Sequence, residues 1–252
     1  MMFRTDSARD PIVIGSAAVI GAASVVCAVQ FMNAPTSFAV PYDFSFAGNI
    51  LSAAIDLFLC GLVLSYALRY RNLAMLVLAI VQFIASIWCA SMAIAPEDIM
   101  AEPLYIDNLS IIMILIVGLV GSAICIYALG YMKDFQHHEE AEAEKRGEHA
   151  PDRRHQFIAL MFLFLSGMFI IVISDNMDWL VAGWEITTVC SFLMIGYTRT
   201  PEARKSAILQ INLNMIGGLA FHIALVYMHV VGVPLSINGM VEVAGGAQSA
   251  QL

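Results

Sequence analysis

Seven long apolar runs, separated by short polar stretches, dominate this sequence and restrict what it can fold into. They cover residues 11–32, 50–70, 74–94, 109–131, 156–174, 179–197 and 206–231. Most are close to the ~20 residues that a helix needs to cross the hydrocarbon core of a bilayer. They do not alternate apolar with polar residues, as the strands of a membrane barrel do. Backbone groups inside lipid must find partners within their own segment, which leaves helices. The expected fold is therefore all-α, a polytopic transmembrane bundle of about seven helices. Composition agrees, with 60% of the 252 residues hydrophobic and 13% charged. Soluble domains average about 25% charged residues, and the apolar excess here has to face lipid.

The basic residues set an orientation. Arg4 and Arg9 precede the first run, and Arg69 and Arg71 separate the second from the third. Lys133, Lys145, Arg146, Arg153 and Arg154 lie between the fourth and fifth. Arg199, Arg204 and Lys205 lie between the sixth and seventh. An alternating seven-span chain puts all twelve on one side. The positive-inside rule then predicts an inside N-terminus and an outside C-terminus. The opposite loops carry acids: Asp43, Glu97, Asp98, Glu102, Asp107, Asp175 and Asp178. The run 11–32 is too long for a signal-peptide core and reads as a retained helix.

The loop 133–155 holds seven acids, five bases and four histidines (His137, His138, His149, His155). It reads as a solvated cytoplasmic hairpin, partly helical through pairs such as Glu142 with Arg146. The five cysteines (Cys27, Cys60, Cys89, Cys125, Cys190) all fall in apolar runs, without ligand spacing. They read as small buried hydrophobes. The net charge of −8 comes without a basic patch, so no nucleic-acid partner is expected. No metal site is expected either. None of the eight prolines is expected to interrupt a span.

Ionisable groups at membrane depth are costly and mark function by default. Asp56 lies inside the second run and Glu185 inside the sixth. His222 lies mid-way along the seventh, which also carries Gln210, Asn212 and Asn214. A carboxyl group as deep as Glu185 either holds a proton or needs a cation beside it. It is a proton-carrying candidate, or a neutral acid that bridges two helices. Asp56 has the same two readings. Imidazole titrates near neutrality, so His222 is a proton relay or a packed hydrogen-bond partner. Lys205 completes the candidate ion pathway, although its place at a membrane interface also suits a snorkelling structural residue.

Several ordered motifs carry a resemblance. Tyr105-Ile106-Asp107-Asn108-Leu109-Ser110 opens a span that ends Tyr127-Ala128-Leu129-Gly130-Tyr131-Met132. Ser174-Asp175-Asn176 is followed by Gly183-Trp184-Glu185 and by Cys190-Ser191-Phe192-Leu193-Met194-Ile195-Gly196-Tyr197. These resemble the antiporter-like subunits of respiratory complex I. The segment 206–224 is more similar to the A subunit of Mrp-type sodium/proton antiporters and to energy-converting membrane-bound hydrogenases. The resemblance covers about 105–240. It implies a membrane subunit of a proton- or sodium-translocating redox complex, or alternatively of a non-redox Mrp-type antiporter or a purely structural subunit. It places the family's key glutamate, carried on the family's fifth helix, at Glu185; in the family this glutamate pairs with a lysine on the seventh helix. That lysine helix and a later broken helix are expected from another membrane chain or from a further part of the gene product. The implied setting is a multi-pass protein of the inner (cytoplasmic) membrane, within a multisubunit assembly. No thiolate cluster or phosphate-cradling glycine loop is present, so no cofactor is expected in this chain. The expected division is 1–104, with one extra first helix; 105–240, the antiporter-like part; and a tail, 241–252.

Overall fold

The computed structural model describes residues 6–93, 100–145, 147 and 151–249. Arg4, Pro96, Glu97, Asp98, Arg146 and His149 lie outside them, and with them the proposed Glu142–Arg146 pair. The helices are α1 (Asp6–Phe31), α2 (Tyr42–Tyr70), α3 (Leu73–Ala93), α4 (Asn108–Leu115), α5 (Gly121–Lys145), α6 (Arg154–Ile173), α7 (Met177–Ile195), α8 (Pro201–Val231) and α9 (Ile237–Ser249). A π-helical turn, Ile116–Val120, joins α4 to α5, so 108–145 is one long helix. Seven helical segments are long and apolar enough to cross a membrane, and each overlaps one of the seven runs. The chain is an all-α polytopic membrane protein.

Three features differ from the sequence reading, and one refines it. Pro11 lies inside α1, because the polar residues before it also coil. The helical part of the 133–155 hairpin is residues 133–145, which continue α5. The segment 237–249 forms a short helix. Two short strands, β1 (Thr36–Phe38) and β2 (Leu104–Ile106), pair antiparallel, with Ser37 opposite Tyr105.

The chain forms two compact units. One holds residues up to Ala34 and Asp107–Ser166; the other holds Pro35–Ile106 and Gly167 onward. In the first, α1 packs on α4, the π-helical turn and α5. Gly118 makes this possible, because a Cβ there would run into the Ser24 side chain. Lys133 pairs with Asp10, and Arg153 with Glu139 at 3.8 Å. His137 and His138, both largely exposed, lie beside Glu140 and Glu142 of their own helix.

The second unit holds a ring of four helices, in which α2 packs on α3, α3 on α8, α8 on α7 and α7 on α2. Its interior is lined by stripes at helical spacing. On α2 these are Ser45, Asn49, Ser52, Asp56, Cys60, Val63 and Ala67. On α3 they are Met75, Ala79, Gln82, Ser86 and Cys89. On α8 they are Ala207, Ile211, Met215, Gly218, His222 and Leu225. Small and polar residues face inward, and large apolar ones such as Phe58, Ile84 and Leu213 face outward. Helix association in lipid favours this arrangement, since lipid tails solvate Leu as well as another helix would.

The motif residues cap and join helices. Asp107 Oδ1 accepts from the Ser110 N–H, and Asn176 Oδ1 from those of Asp178 and Trp179. The Asp175 and Asn176 N–H groups donate to the Pro103 carbonyl. Asp175 Oδ1 accepts from the Asn238 N–H. Asn49 Oδ1 accepts from Trp179 Nε1 at 2.7 Å, which ties the first half of α2 to the first turn of α7.

Candidate functional site

Three of the four candidate residues meet inside the helix ring. Asp56 on α2, Glu185 on α7 and His222 on α8 each offer one ligand atom, and these atoms lie within 4.8 Å of one another. They come from separate helices, and all three side chains are buried, His222 to 1% exposure. Lys205 does not join them. It is exposed near the start of α8, about 25 Å along the helix from His222 by the rise per residue.

The hydrogen bonds assign roles. His222 Nδ1 lies 2.8 Å from the Gly218 carbonyl, which can only accept, so Nδ1 carries a hydrogen. Nε2 faces Asp56 Oδ2 at 3.5 Å and Ser86 Oγ at 3.3 Å. A neutral ring accepts there from the Ser86 hydroxyl, and a charged ring donates toward Asp56. Glu185 Oε1 accepts from Gln82 Nε2 at 2.5 Å. The Cys60 thiol lies 3.9 Å from Glu185 Oε2 and 3.6 Å from Ser86 Oγ. Asp56 Oδ1 and Gln82 Oε1 are buried without a hydrogen-bond partner.

Two carboxyl groups this close and this dry do not both carry bare charge. They share a proton, or a positive group balances them. Within the cluster that group is His222, because the described lysines and arginines lie elsewhere. Two carboxylate oxygens with an imidazole nitrogen are also donors that a small cation accepts.

Gln82, Ser86 and Cys60 were missed in the sequence. Their signal was spacing: Asp56 with Cys60, and Gln82 with Ser86, are four apart and share a helix face. The face itself cannot be told from a lipid-facing one until the partner helix is known.

Residues 102–140 match the family described as NADH-Ubiquinone oxidoreductase (complex I), chain 5 N-terminus. NADH-quinone oxidoreductase subunit L of Mycobacterium tuberculosis is 36% identical over 120 residues, 46% of this chain and 16% of that protein. The same subunit of Rickettsia conorii is 37% identical over 119 residues, 47% of this chain and 16% of that protein. Na(+)/H(+) antiporter subunit A1 of Staphylococcus haemolyticus is 29% identical over 154 residues, 59% of this chain and 17% of that protein. About half of this chain is similar to antiporter-like membrane subunits. It spans about a sixth of the length of the curated relatives it matches. The matched family segment holds the Asp107 cap, the π-helical turn and the start of the long α5 extension.

Proposed function

We propose that this chain is a multi-pass membrane subunit of an ion-translocating assembly, and that the Glu185–Asp56–His222 cluster passes protons within it. The observation that carries the reading is the convergence of three titratable side chains from three membrane-spanning helices in one buried site. Structural packing alone would not require two acids and an imidazole there, since polar groups at this depth are costly.

In this reading Glu185 takes and releases the proton, and Gln82 fixes its rotamer. His222 and Asp56 supply and balance the charge. Lys205 stands at the basic end of the ring as part of the approach to the pathway. The relatives named as NADH-quinone oxidoreductase subunits support a redox-driven assembly, with the electron chemistry in partner chains and no cofactor in this one. The longer match to a sodium/proton antiporter subunit favours a second reading, a non-redox Mrp-type antiporter with sodium as the counter-ion. Both place the protein in the cytoplasmic membrane, with the N-terminus inside. Both also expect companion membrane subunits.

Glu185→Gln tests the reading. Glutamine keeps the shape and the hydrogen bonding but cannot titrate. The expected result is an assembled complex whose proton pumping in vesicles is abolished or strongly reduced. Normal pumping by the assembled variant would reduce Glu185 to a helix-bridging residue.

A further inference from the structure

The cluster separates two cavities that have no lining residue in common. Ser52, Asp56, Cys89, Asp178 and His222 line the first. Cys60, Gln82, Glu185, Thr188, Asn214 and Gly218 line the second. Each has room for a water molecule beside several polar groups.

The helix directions place these cavities on opposite sides of the cluster. The Asn49–Trp179 bond puts the starts of α2 and α7 at one end of the ring. Short turns make α3 antiparallel to α2, and α8 antiparallel to α7. The first cavity uses the earlier parts of α2 and α7 and the later parts of α3 and α8. The second uses the reverse: Cys60 and Val63 on α2, Gln82 on α3, Thr188 and Val189 on α7, Ile211 and Asn214 on α8. The first therefore lies toward the end that carries Asp43 and Asp178. The second lies toward the end that carries Arg69, Arg71 and Arg204.

We infer that the cluster is a septum with access from both sides: Asp56 and His222 exchange protons with the acidic end, and Glu185 with the basic end. This rests on the proton-passing reading above. At rest Glu185 holds the shared proton; a proton from water in the first cavity binds His222 Nε2, Glu185 releases its own to water in the second cavity, and His222 then gives its proton to the Asp56 carboxylate. The O–H bond on Asp56 then breaks as one forms on Glu185, which leaves Asp56 charged and Glu185 neutral, as at rest. No electrons move, and each transfer regenerates the base for the next. Gln82 and Ser86, four apart on α3, are positioning residues, one bonded to Glu185 and the other facing His222.

Two native cysteines report on the two sides, Cys89 in the first cavity and Cys60 in the second. The test uses the intact assembly in liposomes. Silver ion, in chloride-free buffer, is added to one face. After quenching and denaturation, free thiols are alkylated and counted by mass spectrometry. Silver from the acidic-end face should protect Cys89 at least tenfold more than Cys60, and silver from the other face should reverse the order. Protection of both from the same face, or of neither from either face, would overturn the inference. Protection is read without turnover, so this result and that of Glu185→Gln fail independently.

Discussion

Gln82 Nε2 donates to Glu185 Oε1 at 2.5 Å, and it is the one side-chain amide in direct contact with this carboxyl among the described residues. Gln82 also leaves its own Oε1 unpartnered in a buried position. An amide held in that way serves the carboxyl rather than itself. Gln82→Leu removes the donor from a buried acceptor, a loss of about 1–3 kcal/mol at that group. The complex should assemble, and proton pumping in vesicles should fall about thirtyfold, the kinetic equivalent of the middle of that range. Unchanged pumping would mean that Glu185 is positioned by its own helix alone.

His222 and Asp56 should behave as a coupled pair. His222→Leu leaves a buried acid without its nearest base, and breaking a buried pair in this way costs about 3–5 kcal/mol. The melting temperature in detergent should drop sharply. Adding Asp56→Asn to that variant should recover a large part of the loss, because the uncompensated charge is gone. A double variant as unstable as the sum of the two singles would show that the residues act independently.

Gly183, two residues before Glu185, sits against Gly167 of α6. A Cβ on Gly183 would come to 3.0 Å from the Gly167 carbonyl oxygen and from the Ile171 side chain. Gly183→Leu should therefore push α6 off α7, with an overpacking penalty of about 1–3 kcal/mol or more. Lower assembly yield and a lower melting temperature are expected. Gly245→Leu, at a position with open space around it, is the control and should leave both unchanged.

Outside the membrane, the Arg154 guanidinium bonded to Asp152 holds that carboxyl down at about 2. A depressed carboxyl contributes stability that is fully present above its ordinary value near ~3.9 and is lost as pH falls toward the folded value. The turn before α6 should thus stay intact across the physiological range and loosen only in strong acid. A carbon-detected NMR titration of Asp152 should give a midpoint near 2, and Arg154→Ala should return it to the ordinary range. An ordinary midpoint in the unmodified chain would show that the pair does not form in solution.

The helices were legible because the bilayer imposes a length and forbids unpaired backbone, so apolar runs and their polar breaks map onto spans almost directly. Asp107 and Asn176 stood out in the sequence only as motif residues, and the structure shows that they cap backbone at the start of their helices. Pro11 was misread, and the extent of the α5 extension was not legible, because polar residues beyond a span can continue the coil without any apolar signal. The site was only half legible. Glu185, Asp56 and His222 stood out as ionisable groups in apolar runs, and Lys205 as a cation at the interface end of the seventh.

By itself the sequence determined the all-α membrane class, the seven spans, the segregation of basic residues and the set of groups too costly to place in lipid without a purpose. It held no information on which of those groups would meet. That was decided by the ring in which α2, α3, α7 and α8 turn their small and polar stripes inward. The ring brought Asp56, Glu185 and His222 within 4.8 Å of one another, added Gln82, Ser86 and Cys60, and left Lys205 at the surface. The reason is geometric: periodicity along one helix gives a face, but only packing between helices gives that face a partner.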